Sequence, residues 1–154
     1  MRLTQFSDYA LRTLLYLRVH EDRAVPLVEI ARSYGISYNH LVKVAALLGD
    51  LGVVATVRGR AGGYRLAKAP GEINLGWLIR QTEPDFHLVE CFDRANDKCS
   101  ITPACRLKNV LMEATKSFLA VLDRYTLADF PSSPTDGLRL IQLWADRQAL
   151  SAAG

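Results

Sequence analysis

Near residue 52 the spacing of apolar residues changes from helical to alternating, and few small folds accommodate that switch. Before it come three helical blocks. In residues 5–20, Leu3, Phe6, Ala10, Leu14 and Leu17 make one face, with Thr4 placed as N-cap. Leu11 and Leu15 make a second strip with Asp8 beside it, so this helix should pack against two things. Residues 27–34 form a short helix with Ile30 and Ala31 facing in, and Gly35-Ile36-Ser37 is a tight turn. Residues 38–51 form the next helix, with Ser37 as N-cap and Leu41, Val44, Leu48 and Leu51 as its buried stripe. After residue 52 the period is two. Residues 53–57 and 63–67 read as paired strands around a basic, glycine-rich tip, Gly59-Arg60-Ala61-Gly62-Gly63.

Two short helices joined by a glycine turn, followed by a hairpin with a basic tip, make a winged helix-turn-helix. The fold class is therefore mainly α with a small β-hairpin wing. In such a unit the second helix enters the major groove with its first turn toward base edges. Ser37, Tyr38, Asn39, His40 and Lys43 are the candidate contacts; Asn pairs bidentately with adenine, and Lys reaches guanine or phosphate. Arg58 and Arg60 would reach phosphate or the minor groove from the wing. Gly62 and Gly63 would let the wing backbone lie close to the duplex. Charge agrees: residues 1–70 carry ten Lys/Arg against five Asp/Glu, whereas residues 71–154 carry nine against eleven.

Residues 1–70 are thus the DNA-binding unit and residues 71–104 a short helix (75–82) with an irregular polar loop. Thr102-Pro103 signals the start of a longer helix that runs to about residue 125. Along it Leu107, Leu111, Ala114, Phe118 and Val121 alternate steps of four and three, the spacing of a helix–helix seam, so residues 105–127 are read as a dimerisation helix. Residues 128–154 are read as a linker and a weak last helix from about Leu138. No apolar run approaches the roughly 18 residues that cross a bilayer, and the N-terminus lacks the pattern of a signal peptide, so a cytoplasmic protein without a membrane partner is expected.

All three cysteines, Cys91, Cys99 and Cys105, fall within fifteen residues. An odd number argues against a disulfide framework, and zinc sites prefer closely spaced cysteine pairs that are missing here. Three spread thiolates on a loop suit an iron-sulfur cluster, which normally takes four protein ligands. A fourth ligand is then needed, with Asp8, His40, His87, Glu90, Asp93, Asp97 or a small molecule as candidates. Cys105 is expected in the first turn of the long helix, where the helix dipole favours a thiolate. Two rivals remain at this stage. A zinc- or thiol-based regulator would use the same cysteines, and a cysteine enzyme would need a base for which only His87 is close in sequence.

The segment Met1-Arg2-Leu3-Thr4 to Arg12, the run Ser37-Tyr38-Asn39-His40-Leu41-Val42-Lys43-Val44, the wing Arg58 to Tyr64 and the order of the cysteines together resemble the NsrR nitric-oxide-sensing repressors. The likeness covers about residues 1–127. It implies a homodimeric, cytoplasmic repressor that binds an inverted-repeat operator in double-stranded DNA. It also implies an iron-sulfur cluster that reacts with nitric oxide, usually 4Fe-4S, with Asp8 as fourth ligand from the other subunit. The wider group includes IscR-type regulators with a 2Fe-2S cluster, which are the nearest alternative; Asp8 and the Asn39-His40 pair look NsrR-like.

Overall fold

Thr4 opens the first helix by accepting the Ser7 N–H on its hydroxyl at 3.2 Å, as its position at the edge of the apolar pattern predicts. The computed structural model describes residues 2–152. Its helices are α1 (Gln5–Val19), α2 (Leu27–Tyr34), α3 (Tyr38–Asp50), α4 (Leu75–Thr82), α5 (Arg106–Leu122) and α6 (Pro134–Ala152). The strands β1 (Val54–Val57) and β2 (Gly63–Leu66) pair antiparallel, with Val54 opposite Leu66 and Val57 opposite Gly63.

The α2–turn–α3 unit forms as its residues dictate. Gly35 ends α2 in the left-handed region at φ +64°, which costs glycine nothing, and the Ile36 N–H then donates to the Ala31 carbonyl at 2.9 Å. Ser37 stands at the N-cap of α3, but only its backbone caps: its carbonyl accepts from the amides of His40 and Leu41, and its side chain makes no cap bond. Ala10, Leu14, Leu41, Val44 and Leu48 are wholly or almost wholly buried where α1 lies across α3. Val25 joins the hairpin as an extra rung, exchanging two 2.8 Å hydrogen bonds with Tyr64.

The core does not end at residue 70. Ile73, Leu78 and Leu127 are buried in the same cluster as Leu14 and Leu41. The α4 helix is capped by Asn74, whose carboxamide accepts the Trp77 N–H at 2.8 Å and donates to the carbonyls of Asp123 and Tyr125. Arg80 grips Asp123 bidentately at 2.5 and 2.8 Å, and Gly76 lies so close to Asp123 that a Cβ would overlap it. The C-terminal end of α5 is thereby fastened to α4.

Two boundaries differ from expectation. Thr102-Pro103-Ala104 makes a single 3-10 turn rather than the first turn of α5. Cys105 has extended backbone (ψ 105°), so α5 starts after it and Cys105 is its N-cap. The last helix is also longer than the weak one expected from Leu138. It begins at Pro134 and packs on α2. Trp144 is 6% exposed, with ring centroids 4.5 Å from Tyr16, 5.5 Å from Tyr34 and 5.9 Å from His20. Gln148 donates to the Ser33 hydroxyl at 2.6 Å, and Ser33 lies 3.1 Å from the Tyr16 hydroxyl. The Tyr16 hydroxyl in turn donates to Glu29, which Arg23 also holds. Burial alone would raise the Glu29 carboxyl; the hydrogen bonds from Arg23 and Tyr16 outweigh it and leave the group below its usual value. Deleting a buried Trp costs about 3–5 kcal/mol. Trp144→Ala is therefore expected to lower the unfolding free energy by that amount, read from urea denaturation at fixed protein concentration; a loss under about 1 kcal/mol would show that α6 contributes little.

Candidate nucleic-acid interface and cysteine loop

The first turn of α3 presents Ser37, Tyr38, Asn39, His40 and, one turn on, Lys43, all exposed to solvent, while Leu41 and Val44 on the opposite side are fully buried. That division is forced by the helical period: the residues that anchor α3 fix which ones it shows. At the wing, Arg58 and Arg60 are exposed beside Gly59, which takes φ +110°. Gly62 and Gly63 have an internal reason to be glycine. A Cβ at Gly63 would run into the Val25 backbone, and one at Gly62 into the carbonyls of Val57 and Gly59. Their missing side chains are thus required by the wing's own packing.

At least four of the 19 lysines and arginines are held by carboxylates of the chain. Arg12 pairs with Asp8, Arg18 with Glu21, Arg23 with Glu29 and Arg80 with Asp123. Among the described residues, Lys43, Arg58 and Arg60 make no ion pair in the chain. The cations expected to meet DNA are thus among those without a carboxylate of their own.

The cysteines are free. Cys91 lies half-buried in a short 3-10 turn, Cys99 is exposed, and Cys105 is half-buried at the start of α5. Among the described residues no three His, Cys, Asp or Glu side chains converge on one point. The loop carries the donors in sequence without gathering them in a single chain. Its shape comes from its own carboxylates. Asp97 accepts the Cys99 N–H at 3.0 Å and the Thr102 hydroxyl at 3.1 Å, and Glu90 accepts the Lys98 N–H at 2.7 Å. Asp93 accepts from the Asn96 amide and the Ala95 N–H, which hold its carboxyl below the usual range. These three candidate fourth ligands already serve the loop backbone. His87 sits beside Asp85, 3.8 Å away, and His40 lies on α3 with its ring 6.2 Å from Tyr9. Asp8 is two-fifths exposed and bound by Arg12 at 2.8 and 2.9 Å.

The seam residues of α5 divide. Leu107 is 62% and Val121 44% exposed, and Ala114 is exposed as well; Leu111 and Phe118 are half-buried, Phe118 beside Glu83 and His87. One link went unread in the sequence. Glu83, the first residue after α4, accepts both the Thr4 N–H (2.8 Å) and the Thr4 hydroxyl (3.0 Å). It ties the start of the cysteine segment to the start of α1. A contact between residues 79 positions apart leaves no local signal.

Residues 3–132 match the family model described as "Rrf2: Iron-dependent Transcriptional regulator". The chain belongs to the Rrf2 family. It is 46% identical over 144 residues to the HTH-type transcriptional regulator NsrR of Bacillus subtilis, covering 93% of this chain and 99% of that one. It is 52% identical over 130 residues to the NsrR of Bacillus licheniformis, covering 84% and 91%. Among solved structures it is similar to T. potens IscR, with TM-score 0.65 and 32% identity over 84% of this chain and 85% of that one. It shares its fold with CymR, the global cysteine regulator of B. subtilis, at TM-score 0.69 and 24% identity over 86% and 97%.

These relatives are transcriptional regulators rather than enzymes, and an Rrf2-family regulator has DNA as its partner. No helix among the described residues is long and apolar enough to cross a membrane. Two substitutions separate positioning from reading on this Rrf2 surface. Arg60→Ala should weaken binding across sequences and lower the salt slope by about one unit. Asn39→Ala should relax base preference at one position of a selected duplex. Fluorescence anisotropy at several salt concentrations measures both; unchanged affinity and preference in both variants would move the reading surface elsewhere.

Proposed function

We propose that this Rrf2-family regulator is a homodimeric repressor whose affinity for an inverted-repeat operator is set by a nitric-oxide-sensitive iron-sulfur cluster, 4Fe-4S in type. The observation that carries this is the set of three free thiols in fifteen residues, placed between the DNA-binding body and α5, in a chain about half identical to NsrR regulators. Soft thiolates are the donors such a cluster takes. Cys91, Cys99 and Cys105 would hold it, with Asp8 of the partner subunit as fourth ligand. The chemistry the group supplies is reaction of its iron with nitric oxide.

The chain's own residues explain how such an event reaches DNA. Cys105 is the N-cap of α5, so the residue whose thiol would hold the cluster stands at the point where that helix starts. The loop before it begins at Glu83, which is bonded to the first residue before α1. Coupling between two such sites is typically about 1–3 kcal/mol, or five- to 150-fold in operator affinity. Leu107, Val121 and the rest of the exposed apolar side of α5 suit a twofold contact with a second copy, which would set two α3 helices one duplex turn apart.

Anaerobic purification followed by iron and sulfide analysis, a visible spectrum, nitric oxide titration and operator binding tests the reading. A brown protein is expected that loses its colour and its operator together on titration. Each Cys→Ala variant should fail to assemble the cluster. Asp8→Ala should assemble it with an altered spectrum and a smaller difference between loaded and cleared protein. A colourless, zinc-containing preparation would overturn the proposal, and two irons per chain would favour an IscR-like regulator. Leu107→Glu is the sharper test of the dimer, because Phe118 is half-buried in its own chain: monomers by sedimentation are expected, and an intact dimer would place the interface elsewhere.

A further inference from the structure

A cleft of about 270 Å³ opens between the first turns of α1 and the exposed side of α3, lined by Gln5, Phe6, Tyr9, His40, Lys43 and Val44. Its floor is apolar (Phe6, Val44) and its rim is built from donors. No carboxylate lines it. Four other clefts of similar or larger size each contain at least one: Glu83 and Asp85, Glu21 with Asp22 and Glu29, Asp85 alone, or Glu21 alone. Within the chain, the side chains of Gln5, His40 and Lys43 and the Tyr9 hydroxyl make no hydrogen bond or ion pair among the described residues. The ring of Tyr9 leans on that of His40, at 6.2 Å between centroids and 31° between planes, which ties the α1 side of the cleft to the α3 side. The nearest carboxylate on α1, Asp8, is engaged by Arg12.

We propose that this cleft is a backbone-phosphate site: Gln5 and Tyr9 of α1 and Lys43 of α3 together hold one DNA phosphate at the edge of the groove that α3 enters. The proposal rests on the reading of α3 as the groove-entering helix and extends it to a second element. The α3 helix is the groove-entering helix of the α2–turn–α3 unit, and α1 meets its exposed flank at this cleft. About half or more of protein–DNA hydrogen bonds go to phosphate and sugar, so a donor-lined cleft beside the groove-entering helix is placed to take a backbone phosphate. Two of the amides at the start of α1 are already taken, Thr4 N–H by Glu83 and Ser7 N–H by Thr4. The site is made of side chains, and a single phosphate oxygen pair can accept from the Tyr9 hydroxyl and the Gln5 carboxamide while Lys43 supplies the charge. Held this way, α1 and α3 dock on the strand as a unit. The base-edge contacts of Asn39 are then set in register by a contact that carries no sequence information itself.

The test uses the full-length protein and a duplex selected by it from random-sequence DNA. Lys43→Ala should bind roughly tenfold more weakly at moderate salt and lose about 0.9 from the salt slope, on selected and unselected DNA alike. Tyr9→Phe keeps the ring packing and removes only the hydroxyl; a drop of about fivefold with no change in slope is expected for one lost hydrogen bond. Methylphosphonate substitution, scanned one phosphate at a time, then identifies the partner. One phosphate per half-site should weaken binding by the wild type but not by the Lys43→Ala, Tyr9→Phe double variant, a thermodynamic cycle that a merely structural role for Tyr9 would not close. If every neutralised phosphate costs the double variant as much as the wild type, the cleft is not a phosphate site, although the α3 reading stands. If no duplex is selected at all, the DNA-reading assignment of α3 fails and this site with it.

Discussion

Ala10, Leu14 and Leu17 are removed from water almost completely, between α3 on one side and α4 with the hairpin on another. Burial of each leucine is worth about 2–3 kcal/mol, and the geometry it imposes matters as much as the energy. The α3 helix has its own buried stripe, Leu41, Val44, Ala45 and Leu48, and α1 is the main body it presses on. Where α1 lies therefore decides where the exposed first turn of α3 points. The same helix is tethered at its start by Glu83, the residue that opens the cysteine segment, so that segment is joined directly to the element that seats α3.

The first 67 residues were legible because their determinants are local. Gly35 at positive φ, the Thr4 cap, the 3.6-residue stripe of α3 and the switch to period two each act within a few residues, and each produced the element its pattern predicts. The candidate DNA contacts followed directly, since the residues opposite a buried stripe are the ones left outside. Beyond residue 100 local signals competed. Thr102-Pro103 is a good helix start, but one 3-10 turn satisfies it, and Cys105 then takes extended backbone that breaks the run. The α6 helix was under-read for another reason. Its attached face is Leu140, Trp144 and Gln148, whereas Leu138 and Ile141, the leading residues of the apolar spacing, are exposed, so the pattern and the packed face coincide only at Trp144. The Thr4–Glu83 bond and the fastening of Asp123 to Arg80 join segments far apart in sequence, where no pattern registers.

The division of charge carries a functional argument that net charge does not. A cation already engaged by a carboxylate must break that pair before it can neutralise a phosphate; one that is free only releases counterions. The chain pairs Arg12, Arg18, Arg23 and Arg80 internally, and these stiffen α1, the α1–α2 turn and the α4–α5 junction. Lys43, Arg58 and Arg60, all on the α3 and wing side, are left to solvent. With a net charge of only +3, it is these unengaged side chains that are available to a phosphate on the α3 and wing side.

The same reasoning bears on Asp8. As a proposed ligand it must leave Arg12, and the structure shows how little holds it. The pair is about two-fifths exposed on both sides, and such pairs are worth only about 0–1 kcal/mol. Arg12 does not depend on it alone, because its guanidinium also lies 5.6 Å from the centre of the Tyr34 ring, a cation–π contact that persists when the carboxylate departs. Tyr34 in turn packs edge-on against Trp144 and immediately precedes the Gly35 turn between α2 and α3. A change of partner at Asp8 is therefore cheap where it happens, and the residue it releases already touches the turn that positions α3.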